Sequence, residues 1–127
     1  MNVLSREWVE KAEADFATAM RESRARKFPN FDAVCFHAQQ CVEKYLKAIL
    51  IDTRKSFAKT HDLEFLLDDI LPAFPIMEAA RSDLQTLTQY AVQYRYPGES
   101  ADKEEAKEAV KIVKRVRKEL RSLLGLQ

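Results

Sequence analysis

The sequence predicts an all-α protein, an up-and-down four-helix bundle with an additional short helix, and three observations carry that expectation. Among 127 residues there are only two glycines and four prolines, while 32% are charged, a composition that leaves little room for β-turns. Apolar residues recur at alternating threes and fours in five separate segments, the period of an amphipathic helix. The connections between those segments are short, which makes successive long helices antiparallel neighbours.

Ser5 is the expected N-cap of the first helix, in which Trp8, Ala12, Phe16, Ala19 and Met20 repeat at helical spacing to about Arg24. Pro29 in KFPN ends helical geometry, and Asn30 or Asp32 caps a second helix that runs to about Asp52. At about 100° per residue, its Phe31, Val34, Ala38, Cys41, Val42, Tyr45 and Ile49 share one apolar arc. Thr60 is the expected cap of a short helix, HDLEFLLDDIL, stopped by Pro72 and Pro75. The fourth helix carries Met77, Ala80, Leu84, Leu87, Ala91 and Tyr94 until Pro97 and Gly98 end it in the YRYPGES loop. Ser100 is the expected cap of the last helix, whose seam is Ala106, Val110, Val113, Val116, Leu120 and Leu123. Acids open that helix and Lys111, Lys114, Arg115, Arg117, Lys118 and Arg121 crowd its end, a gradient that complements the helix dipole. The expected core includes Trp8, Phe16, Ala38, Tyr45, Ile49, Leu84, Leu87, Val113 and Leu120, and with no repeat or long linker residues 1–127 make one domain.

Several function classes are disfavoured. A net charge of +1 gives the whole molecule no bulk attraction for nucleic acid or membrane, so such a partner needs a local patch. The longest apolar run, Tyr45 to Ile51, is interrupted by Lys47 and is far too short to span a bilayer. The opening MNVLSREWVEKAEADF has acids where a signal peptide needs apolar residues, so the expectation is a soluble, cytoplasmic protein without a membrane partner. Cys35 and Cys41 lie about 240° apart around one helix and are expected as buried, unbonded thiols. Phosphate-cradling glycine loops, a nucleophile elbow and helical metal-ligand pairs are all absent, so no cofactor or metal is called for.

The candidates for chemistry fall in three places. His37, Gln40, Glu43, Lys44 and Lys47 share the polar arc of the second helix, roughly 120° wide, with Phe36 at its middle. This face reads as a solvated surface with a Glu43–Lys47 pair contributing about 0.3–0.5 kcal/mol, as a dimer or partner contact, or as a ligand cleft. A large aromatic on a polar arc favours the last two. Arg95 between Tyr94 and Tyr96 either closes the end of the bundle or offers a guanidinium for phosphate with tyrosine faces for stacking. His61 and Asp62 read as the capping end of the short helix or as part of a site shared with the second helix.

A tryptophan early in the first helix, HAQQCVEKYLKAIL, THDLEFLL and QYRYPGE together resemble the HEPN family, small prokaryotic bundles often encoded beside minimal nucleotidyltransferases. The resemblance covers nearly the whole chain, and its most specific part is Gln40, Glu43, Lys44, Lys47 and Ala48 followed by His61-Asp62-Leu63. It implies a homodimer with a functional cleft between the polar face of the second helix and the loop before the last helix. Many members are ribonucleases, several of them toxins, that use an arginine followed after four to six residues by a histidine. Arg95 matches that arginine in type and place, but no histidine follows it. Arg54 precedes His61 with six residues between, which satisfies the spacing in the wrong part of the chain. The resemblance therefore implies first a nucleotide-binding or interaction module that acts with a separate minimal nucleotidyltransferase. The alternative is a metal-independent ribonuclease, the toxin of a toxin–antitoxin pair, with a degenerate or relocated Arg/His site acting on RNA.

Overall fold

Five α-helices and a 3-10 turn account for the chain in a computed structural model that describes residues 1–127. The helices are α1 (Val3–Ser23), α2 (Phe31–Asp52), α3 (Leu63–Ile70), α4 (Arg81–Gln93) and α5 (Lys103–Leu123). The expected all-α bundle is what forms, and no strand is present.

α2 is central because apolar residues surround most of its circumference, not one arc alone. Val34, Cys35, Ala38, Cys41, Val42, Tyr45, Leu46, Ala48, Ile49 and Leu50 are all buried, and α2 packs against each of the other helices. The Met1 ammonium reaches Asp52 at 3.8 Å and Glu22 accepts from the Asn30 amide at 2.7 Å, so α1 runs antiparallel to α2. Asp32 accepts from the Ala101 amide near the start of α5, and Arg121 near the end of α5 donates to Tyr45, so α2 and α5 are parallel. These two parallel helices touch directly, with α1 and α4 against their flanks.

Of the expected core, Ala38, Tyr45, Ile49, Leu84, Leu87, Val113 and Leu120 are buried. Trp8 and Phe16 are only partly buried, and a cation packs over the ring of each, Lys47 over Trp8 and Arg117 over Phe16. Three expected caps move. Asn2, not Ser5, caps α1, and its Oδ1 accepts from the Ser5 amide at 2.7 Å. Ser5 sits one turn inside, fully buried, with an unpartnered hydroxyl. Asp62 caps α3 in place of Thr60, and Asp102 caps α5 in place of Ser100, closing a capping box with Glu105. In each case the side chain nearest the first helical amides prevails over one two or three positions away. The fourth segment also divides: Pro75–Ala80, with proline at its first position, winds as a 3-10 turn that buries Met77 and Ala80 before α4 begins.

Candidate functional site

The polar side of the bundle is organised around three carboxylates. Asp15 of α1 lies on the same face as Ala12 and Ala19 and is nearly buried. Its Oδ1 accepts from His37 Nδ1 at 2.7 Å and its Oδ2 from Lys44 Nζ at 2.5 Å. A carboxylate only accepts, so Nδ1 carries the proton of that bond and His37 Nε2 is left as the free nitrogen of the ring.

Glu43, 3% exposed, is the second centre. Gln39, Gln40 and His61 Nδ1 donate to its Oε1 at 3.2, 3.3 and 2.8 Å, and Lys47 Nζ donates to Oε2 at 2.9 Å. Gln39 also donates to the His61 carbonyl at 2.7 Å, which ties the segment before α3 to α2. The Lys47 ammonium lies 5.4 Å from the Trp8 ring centroid and 5.3 Å from that of Phe57, two rings in edge-to-face contact. The Glu43–Lys47 pair is thus a buried, hydrogen-bonded charge pair and not the solvated pair that its spacing alone suggests.

Glu13 is the third. Arg117 of α5 grips it with two bonds of 2.7 and 2.6 Å, and the Tyr45 hydroxyl donates to it from α2. The Arg117 guanidinium also stacks 4.2 Å from the Phe16 centroid. The hydrogen bonds from Arg117 hold the Glu13 carboxyl below the usual carboxylate range, while burial pushes the Tyr45 phenol up.

A different arrangement occupies the end of the bundle where α4 stops. A cleft of about 280 Å³ opens between the first two turns of α2 and the last turn of α4. Asp32, Phe36 and His37 form one wall, and Tyr90, Tyr94 and Arg95 form the other. The Tyr94 hydroxyl donates to Glu105 and the Tyr90 hydroxyl to Glu108, which anchors both rings to α5. Burial, with the bond to Glu108, raises the Tyr90 phenol, and the bond to Glu105, with burial, raises that of Tyr94. Phe36 meets His37 edge-to-face at 5.2 Å and remains 40% exposed. Arg95 is exposed at the rim and, unlike Arg81, Arg115 and Arg117, has no carboxylate partner. Gly98, at φ 94°, supplies the left-handed turn that returns the chain to α5.

Of the residues singled out for chemistry in the sequence, this cleft brings together Arg95, Tyr94, His37 and Phe36. Tyr96 is 62% exposed and outside it. Lys44 faces a separate groove with Leu4, Trp8 and Lys11. Gln40, Glu43, Lys47 and His61 form the second carboxylate cluster, and Asp62 is the α3 cap. Arg54 lines an open depression with Phe57 and Phe65 that does not include His61. The reading of the sequence missed Glu13, Asp15, Gln39 and Tyr90. Asp15 had a signal, an acid set between Ala12 and Ala19 on a small-residue stripe; Glu13 and Tyr90 had none.

Residues 5–123 match the family model described as HEPN domain. The chain belongs to the HEPN family. The fold of this HEPN domain is similar to that in the crystal structure of TT1696 from Thermus thermophilus, with a TM-score of 0.78 at 24% identity. The likeness covers 93% of this chain and 96% of that one. Among curated proteins nothing matches. In this HEPN chain the imidazole that shares a cleft with Arg95 comes from α2, not from the segment after the arginine. No helix of the HEPN domain is long and apolar enough to cross a membrane.

Proposed function

We propose that this chain is a HEPN-type nucleotide-binding and interaction module, homodimeric and cytoplasmic, that acts with a separate minimal nucleotidyltransferase and performs no catalysis of its own. One observation carries the reading. An unpaired guanidinium, Arg95, stands at the mouth of a cleft whose walls offer the aromatic faces of Phe36 and Tyr94. Guanidinium matches phosphate with two parallel hydrogen bonds, and exposed ring faces accept a base by stacking. The half-exposed Phe36 on an otherwise polar arc also supports a contact with a second copy. Titration calorimetry with nucleotides tests the cleft directly. Arg95→Ala should weaken binding roughly tenfold or more through loss of a charge-assisted bond. Arg95→Lys should also lose affinity if the contact is bidentate. Measurable binding that ignores Arg95→Ala in a folded protein would remove the cleft from the account. Light scattering should give about 29 kDa, twice the 14.7 kDa of one chain.

A second reading, the metal-independent ribonuclease, is favoured by a specific feature: His37 shares the Arg95 cleft with Nδ1 engaged by Asp15 and Nε2 free. In that chemistry Nε2 takes the 2′-hydroxyl proton, the 2′-oxygen bonds to phosphorus, the bond to the 5′-oxygen breaks with protonation by water, and Arg95 steadies the added charge. RNA cut to 2′,3′-cyclic phosphate ends, and spared by His37→Ala, would replace the first reading with this one.

A further inference from the structure

We propose that the Arg95 cleft selects mononucleotides whose base carries an exocyclic amine, and that His37, oriented by Asp15, is the residue that selects. This rests on the nucleotide reading of the cleft, and the experiment below tells the failure of one from the failure of the other.

Hydrogen-bonding capacity is divided between the two walls. On the α2 wall, Asp15 accepts from His37 Nδ1 at 2.7 Å, and a neutral imidazole carries one proton, so Nε2 can only accept. Lys44 Nζ holds the other Asp15 oxygen at 2.5 Å, which fixes the orientation of a carboxylate that is nearly buried. Phe36 meets the imidazole edge-to-face and holds the plane of the ring. Asp32, on the same wall, spends Oδ1 on the Ala101 amide at 2.7 Å and keeps Oδ2 as a second acceptor. Asn30 caps α2 with its side-chain oxygen, and its amide is the one side-chain donor here. It lies seven residues from His37, about 10 Å along the helix.

The α4 wall is the opposite. The Tyr90 and Tyr94 hydroxyls are spent on Glu108 and Glu105 of α5, so this wall offers ring faces and the donors of Arg95. The negative charge of Asp32 disfavours a phosphate against α2, which leaves the anion to Arg95. A complementary ligand therefore carries an anion at one end, a flat ring, and a hydrogen-bond donor where the ring meets His37. An exocyclic base amine is that donor. A base without one leaves the Nε2 lone pair unmatched. A volume of about 280 Å³ is at the small end of ligand pockets and suits one nucleotide, not a chain.

Titration calorimetry at pH 8, where an ordinary imidazole is neutral, tests the selection with two pairs of ligands. Adenosine 5′-monophosphate is compared with purine riboside 5′-monophosphate, and cytidine 5′-monophosphate with 2-pyrimidinone riboside 5′-monophosphate. Within each pair only the amine differs, and it should tighten binding about five- to tenfold. Arg95→Ala should weaken both members of a pair alike and keep their ratio. His37→Phe should cut the ratio to about twofold or less, with the amine-free nucleotide bound as before. In Asp15→Asn, Lys44 keeps the amide oxygen and the amide nitrogen donates to Nδ1, which moves the imidazole proton to Nε2. The amine preference should then disappear with helicity unchanged, whereas a purely structural role would weaken both members equally. Arg95-dependent binding with no difference within either pair overturns the selection and leaves the nucleotide reading standing. A preference that survives both His37→Phe and Asp15→Asn overturns it as well. Failure of all four nucleotides to bind removes the nucleotide reading and the selection together.

Discussion

Arg117 and Arg95 are the same side chain in opposite circumstances. Arg117 crosses from α5 to Glu13, lies over Phe16 and belongs to a network that includes Tyr45 and Arg121. Arg95, two residues past the end of α4, stands exposed and unpaired at the mouth of a cleft. The same contrast divides the polar arc of α2. Toward its middle and end, Glu43 and Lys47 are buried and paired with each other; at its start, Phe36 and His37 meet an open space. Charge that the fold has already partnered is committed to the fold, and charge that it leaves free is available to a ligand.

Substitutions sharpen that division, beginning with the largest effect. Glu43→Ala leaves the Lys47 ammonium buried without its partner and should cost about 3–5 kcal/mol in urea denaturation. Glu43→Leu combined with Lys47→Met should recover much of the loss, and no recovery would mean that the wider cluster, not the charge pair, is what counts. Arg117→Ala removes a two-bond grip at a part-exposed site and should cost about 1–2 kcal/mol.

The Glu13 pair also carries a pH signature. Its hydrogen bonds to Arg117 lower the folded-state pKa below the ordinary value of 4.5, so its contribution is fully present above that pH. It should fade as pH falls through the lowered value, and Glu13→Gln should flatten that acid limb of the stability curve.

Tyr94→Phe deletes the hydroxyl link to Glu105 and should cost about 0.5–1.5 kcal/mol, read as a lowered urea midpoint. Smallest of all, Arg95→Ala should change stability by less than about 0.5 kcal/mol. A loss comparable to that of Arg117→Ala would place Arg95 among the structural arginines and erase the contrast.

What the sequence determined is what repeats locally. Threes and fours of apolar residues marked five helical segments, and Pro29, Pro72 and the Pro97–Gly98 pair marked breaks, because periodicity and backbone restriction act within one or two turns. It also placed Arg95, Tyr94 and His37 among the candidates, and their meeting in one cleft depended on how α4 ends against the start of α2. Partners more than twenty residues apart were decided only by packing: Asp15 with His37, Gln39 with the His61 carbonyl, Glu13 with Tyr45 and Arg117. A polar arc at helical spacing looks the same whether water or another helix faces it. α2 lies at the centre of the bundle, so neighbouring elements, not the arc itself, settled that Glu43 is buried while Phe36 and His37 border open space.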